Sequence, residues 1–220
     1  DKLFVFLHSM RTAGTSIRDY LDKYQVGGEL LYHHAGIDIV SYLLPNIPTI
    51  TCIRNPFARE FSLYQYYKKN AKVFEGLYDE GGKILEGDFK GKNVDTTLMS
   101  AATMDFNEFL TYRYRVIANH SGILVAEFPK GQGQVANLQS NYMSTPGSAT
   151  THFLQFENLT VDLTHFLDKV NVVIDKEFPH KDGSFGDYDS EQPRLNYKDF
   201  YTNESISLVA QHEQKILERF

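Results

Sequence analysis

LFVFLHSMRTAGTS, residues 3–16, sets a continuous apolar run directly against a loop of small and polar residues. Leu3 to Leu7 is rich in Phe and Val, the makeup of a strand covered on both faces in a parallel sheet. From Ser16 the pattern changes: Ile17, Tyr20, Leu21 and Tyr24 recur three or four apart, the spacing of a helix with one buried face. A strand, a loop and a helix therefore follow one another. Such a turn leaves backbone N–H groups unpaired at the positive end of the helix, which suits a bound anion. Gly14 lets the backbone come close to a phosphate, Thr15 and Ser16 offer hydroxyl donors, and Arg11 brings a permanent positive charge. The same composition also serves as a plain strand-to-helix turn.

Working outward, Leu30–Tyr32 is a short strand candidate with His33 and His34 at its end, and Ile37–Leu44 reads as a helix closed by Pro45. Thr49–Ile53 (TITCI) is a third strand, rich in β-branched residues. After Arg54-Asn55-Pro56 a helical stripe of Phe57, Phe61, Tyr64 and Tyr67 runs through Phe57–Lys69. Residues 70–104 turn to Gly, Lys, Asp and Glu with weak periodicity, the pattern of a lid or acceptor-selecting insertion. Phe106–Tyr114 and Val135–Met143 are further helix candidates, and Thr151–Phe156 is the last strand. Thr160–Val170 is helical, and a final helix over Glu204–Phe220 buries Ile206, Val209, Ile216 and Leu217. Strands alternating with helices predict an α/β fold: a P-loop-like parallel β-sheet flanked by helices on both faces, in a single domain.

The chain has 220 residues, 42% of them apolar, enough for one substantial core. A net charge of −6 argues against broad attraction to nucleic acid or heavily sulfated glycans, so any anion site is local. No run of 18 apolar residues occurs, so no membrane span is expected. The single cysteine, Cys52, lies in an apolar stretch and reads as a small buried side chain, which fits a reducing compartment such as the cytoplasm. A chain that starts at Asp1 and enters a strand at once is also what loss of an N-terminal anchor leaves, which would allow the Golgi lumen. Sequons stand at Asn119, Asn158 and Asn203, a number that chance supplies readily in a chain with this much Ser and Thr.

The nucleotide-hydrolysing loop GxxxxGK[ST] is not met, because Ser9 stands at its first Gly and Thr15 at its Lys. The strand TITCI ends in Arg54 rather than in an Asp able to hold Mg²⁺. FVFLHSMRTAGTSI instead resembles the phosphosulfate loop of sulfotransferases that use 3'-phosphoadenosine 5'-phosphosulfate (PAPS), whose usual form reads HIPKTGGTS. ITCIRNPFAREFSLYQYY resembles that family's second motif, and FLQFENL, FPHKDGS and YKDFYTNES resemble later blocks of its carbohydrate-type family 2 branch, in the same order. The matches span nearly the whole chain.

The resemblance implies a cofactor-binding stretch of Arg11, Thr12, Ala13, Gly14, Thr15 and Ser16, with Arg54 and Ser62 on the nucleotide's 3'-phosphate and no metal. It also implies sulfuryl transfer to a hydroxyl or amine. His34, which opens HAGIDIV, is the expected base, with His33 as the alternate and Glu60 a third candidate that also reads as a solvated or paired helical carboxylate. His8 is expected to order the loop, and His180 to close over the nucleotide.

Three departures stand out: Arg11 replaces the usual Lys, Ala13 the first Gly of a pair, and Asp182 an Asn. Ala13 is tolerable with a negative φ and costly with a positive one. The acidic balance favours a small-molecule, lipid or weakly charged glycan acceptor over a heparin-like chain. A P-loop kinase-like phosphoryl transferase and an inactive nucleotide-binding protein are the alternatives.

Overall fold

The computed structural model describes residues 4–24, 46–73, 103–119, 138–139, 151–174, 178 and 195–219. Packing divides the chain into two compact units, one of Asp1–Pro56, Leu138–Leu195 and Lys215–Phe220, the other of Phe57–Asn137 and Asn196–Gln214.

The first unit is built on β1 (Val5–Leu7), β2 (Thr49–Ile53) and β3 (Thr151–Gln155), paired in parallel with β2 in the centre. All five residues of β2 are buried, as its apolar and β-branched composition requires of a central strand. Strand alternation sends Ile50 and Cys52 to one face, and the register sets Leu154 beside Cys52. On that face pack Ile17, Tyr20 and Leu21 of helix α1 (Gly14–Lys23) and Leu163, Phe166 and Leu167 of helix α4 (Leu159–Lys169). Thr49 and Thr51 point to the other face, and their buried hydroxyls are satisfied: Thr49 Oγ1 lies 2.8 Å from Thr151 Oγ1, and Thr51 Oγ1 donates to Leu7 O at 3.0 Å. Burial, ahead of the charge of Glu157, raises the Cys52 thiol pKa, so Cys52 is the inert core residue expected.

The second unit contains helix α2 from Phe57 onward (α2 is Pro56–Val73), α3 (Phe106–Asn119), a 3₁₀ turn (Tyr197–Phe200) and α5 (Asn203–His212). Asp105 caps α3 by accepting from Asn107 and Glu108 N–H, while Glu108 accepts from Asp105 N–H, a reciprocal box. Thr202 and Ser205 make the same exchange at α5. Aromatic rings fill the interior, with Phe106 edge-on to Phe61 at 5.3 Å and to Tyr201 at 4.8 Å.

Buried charge runs through this unit. Glu60 accepts from Arg113 Nε at 2.7 Å and Arg59 NH1 at 2.9 Å, and Glu213 lies 3.6 Å from Arg59; all four side chains are fully buried. Two guanidiniums and two carboxylates balance, which is how such charges survive burial. Burial by itself would raise the pKa of Glu60; Arg113 and Arg59 reverse that and hold it below its ordinary value.

Three expectations need correction. Helix α2 continues to Val73, so residues 70–73 belong to it rather than to an excursion. The last helix is broken at Glu213, where the turn between α5 and α6 (Gln214–Leu217) carries the Glu213 carboxylate into the charge network. Ile206 is 41% exposed, while Val209 and Ile216 are buried as expected. The readings of Leu30–Tyr32, Ile37–Leu44, the remainder of the insertion up to 102 and most of Val135–Met143 lie outside the described residues. No helix among the described residues is long and apolar enough to cross a membrane.

Replacing Glu60 with Gln leaves two buried guanidiniums with half their countercharge, and urea unfolding is expected to show a loss of about 3–5 kcal/mol. An unchanged midpoint would mean that the network carries no stability. Acidification acts in the same direction through two groups. His212, half-buried against Tyr114, has its pKa lowered from 6.5 by burial first and Arg113 second, so its contribution is full above that value and is lost as pH falls toward the folded pKa. Glu60, lowered from 4.5, gives up its contribution at still lower pH. Melting temperature is therefore expected to decline from pH 8 to pH 4, with the early part of the decline absent in His212→Gln.

Candidate functional site

Parallel pairing brings the C-terminal ends of β1, β2 and β3 to one edge, since Leu7 is in register with Thr51 and Ile53 with Gln155. Residues 8–13, Arg54-Asn55 and Phe156–Asn158 leave the sheet there, the edge at which an α/β fold offers a site.

The loop after β1 is wound tightly. Arg11 and Ala13 both have left-handed backbones, with φ of 60° and 61°. Thr12, fully buried, donates its hydroxyl to Ser9 O at 2.9 Å and braces the turn. His8 is buried, stacked near Phe6, and its imidazole fills the space where a Cβ on Gly14 would lie. Gly14 is thus demanded by the His8 ring, a reason different from close approach to a ligand, and His8 orders the loop as expected.

Helix α1 begins at Gly14 and has no side-chain cap: the Ala13 carbonyl accepts from Ile17 N–H at 3.0 Å, but its methyl side chain offers no acceptor to the first-turn N–H groups. Its first-turn N–H groups and the exposed Thr15 and Ser16 form the positive end of a ten-residue helix. Ser9 Oγ is buried and makes no hydrogen bond among the described residues, an added polar atom in the same loop.

Arg54 joins this loop from the next strand. Its NH1 donates to Arg11 O at 3.4 Å, and its guanidinium carbon sits 4.3 Å from the centre of the Phe156 ring. Its backbone is gripped by Gln139, fully buried: Arg54 N–H donates to Gln139 Oε1 at 2.7 Å, and Gln139 Nε2 donates to Arg54 O at 2.9 Å. Next to it, Asn55 N–H donates to Glu157 Oε1 at 3.0 Å.

The structure therefore brings together Arg11, Thr12, Ala13, Gly14, Thr15, Ser16 and Arg54 at one sheet edge. Ser62 is buried on α2 in the second unit. His33, His34, His180 and Asp182 lie outside the described residues. Glu60 is fully enclosed and held ionised by two arginines, so it is an anchor of the interior and leaves the set of candidate bases. Among the described residues no three His, Cys, Asp or Glu side chains come together to hold a metal ion. A separate hollow of roughly 480 Å³ follows β3 and α4, lined by His152, His165, Lys169 and Arg219 among others, and includes none of the loop residues.

Sequence reasoning missed Gln139 and the Phe156 ring. FLQFENL was visible as a block and contains Phe156, but nothing in the spacing of 135–143 singles out a buried amide. No family model matches the chain, and no curated protein or solved structure matches it.

Ala13, at φ 61°, pays for a conformation that costs an L-residue roughly 1–2 kcal/mol. Ala13→Gly removes this strain against a gain in unfolded-state entropy, and is expected to stabilise by about 0.5–1 kcal/mol. Gly14→Ala forces the His8 ring to move and is expected to destabilise by about 1–3 kcal/mol. Chemical denaturation of the two variants reads both; opposite signs from those given would mean that the loop is wound differently.

Proposed function

We propose that this protein is a sulfotransferase that moves a sulfuryl group from PAPS to a hydroxyl or amine of an acceptor, without a metal. One observation carries the reading: an uncapped helix N-terminus after β1 and an arginine after the neighbouring parallel strand share one edge, with Arg54 NH1 3.4 Å from Arg11 O. Two anion-binding elements on adjacent strands match a nucleotide that carries phosphates on both its 5' and 3' positions. The sequence resemblance of both motifs supports the same assignment. We take the three-stranded sheet as part of a P-loop-like sheet with helices on both faces. We also take the two units as one catalytic domain, since the chain passes between them after Pro56, Asn137, Leu195 and Gln214.

In this reading the amides of Gly14, Thr15 and Ser16 with the Thr15 and Ser16 hydroxyls hold the 5'-phosphosulfate. Arg54 holds the 3'-phosphate. Arg11 stabilises negative charge on the bridging oxygen as the S–O bond breaks, a contribution of typically a few kcal/mol from a preorganised group. His34, or His33 beside it, takes the acceptor's proton. Guanidinium in place of ammonium at Arg11 keeps the charge and spreads it over a planar fork. A small molecule, lipid or weakly charged glycan remains the acceptor that suits a chain of net charge −6.

Calorimetric titration with adenosine 3',5'-bisphosphate, with ATP as control and with and without Mg²⁺, tests the proposal. Metal-independent binding of the bisphosphate in preference to ATP is expected. Arg54→Ala should weaken the bisphosphate about tenfold to a hundredfold and leave adenosine 5'-phosphate nearly unaffected, whereas Arg11→Ala should weaken both. Preference for ATP with Mg²⁺ would overturn the reading in favour of phosphoryl transfer.

A further inference from the structure

We infer that Gln139 is a positioning residue: its buried carboxamide fixes the backbone of Arg54 and thereby aims the guanidinium at the 3'-phosphate of the nucleotide. The inference rests on the nucleotide reading above.

The local chemistry is specific. Ile53 is the last residue of β2 in the ladder, paired with Gln155. Arg54 follows it, and a backbone N–H and C=O that leave a sheet in a part-buried place need new partners. A primary amide supplies an acceptor and a donor in one plane, as a neighbouring peptide group would, and Gln139 uses both, at 2.7 and 2.9 Å. Its side chain is fully buried, so water does not substitute for it cheaply. With the backbone clamped, the side chain extends over the Phe156 ring toward Arg11 O. Gln139 lies 85 residues further along the chain than Arg54, so the clamp is a long-range contact. Asn would fall a methylene short. Glu would keep the acceptor but oppose a carboxylate oxygen to Arg54 O and add a negative charge beside the anion site.

The test is a ratio. Dissociation constants for adenosine 3',5'-bisphosphate and adenosine 5'-phosphate are measured by calorimetry for the wild type, Gln139→Ala, Gln139→Glu, Arg54→Ala and the double variant Arg54→Ala/Gln139→Ala, below the melting temperature of each. The inference expects the preference for the bisphosphate to fall about tenfold in both Gln139 variants. It expects 5'-phosphate affinity to stay within about twofold, and the double variant to be no weaker than Arg54→Ala, since residues acting through one another are not additive. The near-isosteric Gln139→Glu keeps the experiment readable should Gln139→Ala fail to fold. Equal loss for both nucleotides, or full additivity with Arg54→Ala, would overturn the positioning role and reduce Gln139 to a structural residue. A wild type that prefers the bisphosphate alongside Gln139 variants that keep that preference overturns the inference and leaves the nucleotide reading intact. A wild type with no preference overturns both.

Discussion

Parallel pairing of β2 with both of its neighbours is the constraint on which the candidate site depends. Because all three strands run the same way and in close register, everything that leaves their C-terminal ends is delivered to one edge. The winding of residues 8–13, the first turn of α1, Arg54 and the Phe156 ring are delivered there by the pairing, and the contacts of Arg54 with Arg11 O and with the Phe156 ring form on top of it. A one-residue slip of β2 against β1 would turn Ile50 and Cys52 away from α1 and α4 and expose the core those helices cover. The apolar face of β2 therefore fixes the register, and the register fixes where Arg54 emerges.

The two units handle charge in opposite ways. Around Glu60 the second unit encloses four ionised side chains and satisfies them with each other, so the charge is neutralised inside and has nothing to offer a ligand. At the sheet edge of the first unit, positive character comes from oriented N–H groups, from Arg11 and from Arg54. In a chain of net charge −6 the overall field does not favour an anion, so the proposed nucleotide site would rely on such short-range, preorganised donors. Strain at Arg11 and Ala13 belongs to the same logic. Two left-handed residues in three are costly for side chains other than Gly, and a loop that keeps them is held by Thr12 and His8 rather than by its own preference.

Much of this was legible in sequence, for physical reasons that also mark the limit. Strands β1, β2 and β3 and helices α1, α2, α3 and α4 announced themselves because burial demands periodic apolar residues, and Phe and Val runs have few other uses. The loop and Arg54 could be named because small residues and a cation at strand ends have a definite chemistry. Buried polar partners could not. Arg59, Glu60, Arg113 and Glu213 look in sequence like any charged helix surface, and only their three-dimensional closure shows them as interior. The break at Glu213 follows from that closure, which is why a continuous final helix was expected. Ala13 was readable only conditionally: its cost turned on the sign of φ, which no pattern of neighbours determines.

Gln139 and Phe156 show how a cation can be oriented without being cancelled. A carboxylate would hold a guanidinium more strongly, but would bring a negative charge to the place where the proposed nucleotide would set its 3'-phosphate. A neutral amide gripping the main chain and an aromatic face beneath the side chain add no charge, and each restricts a different part of Arg54. Glu157, the acidic residue nearest in sequence to Phe156, is turned to the N–H of Asn55 instead. The arrangement separates two tasks that one ion pair would merge, fixing direction and preserving field, and that separation suits the anion site proposed for this acidic chain.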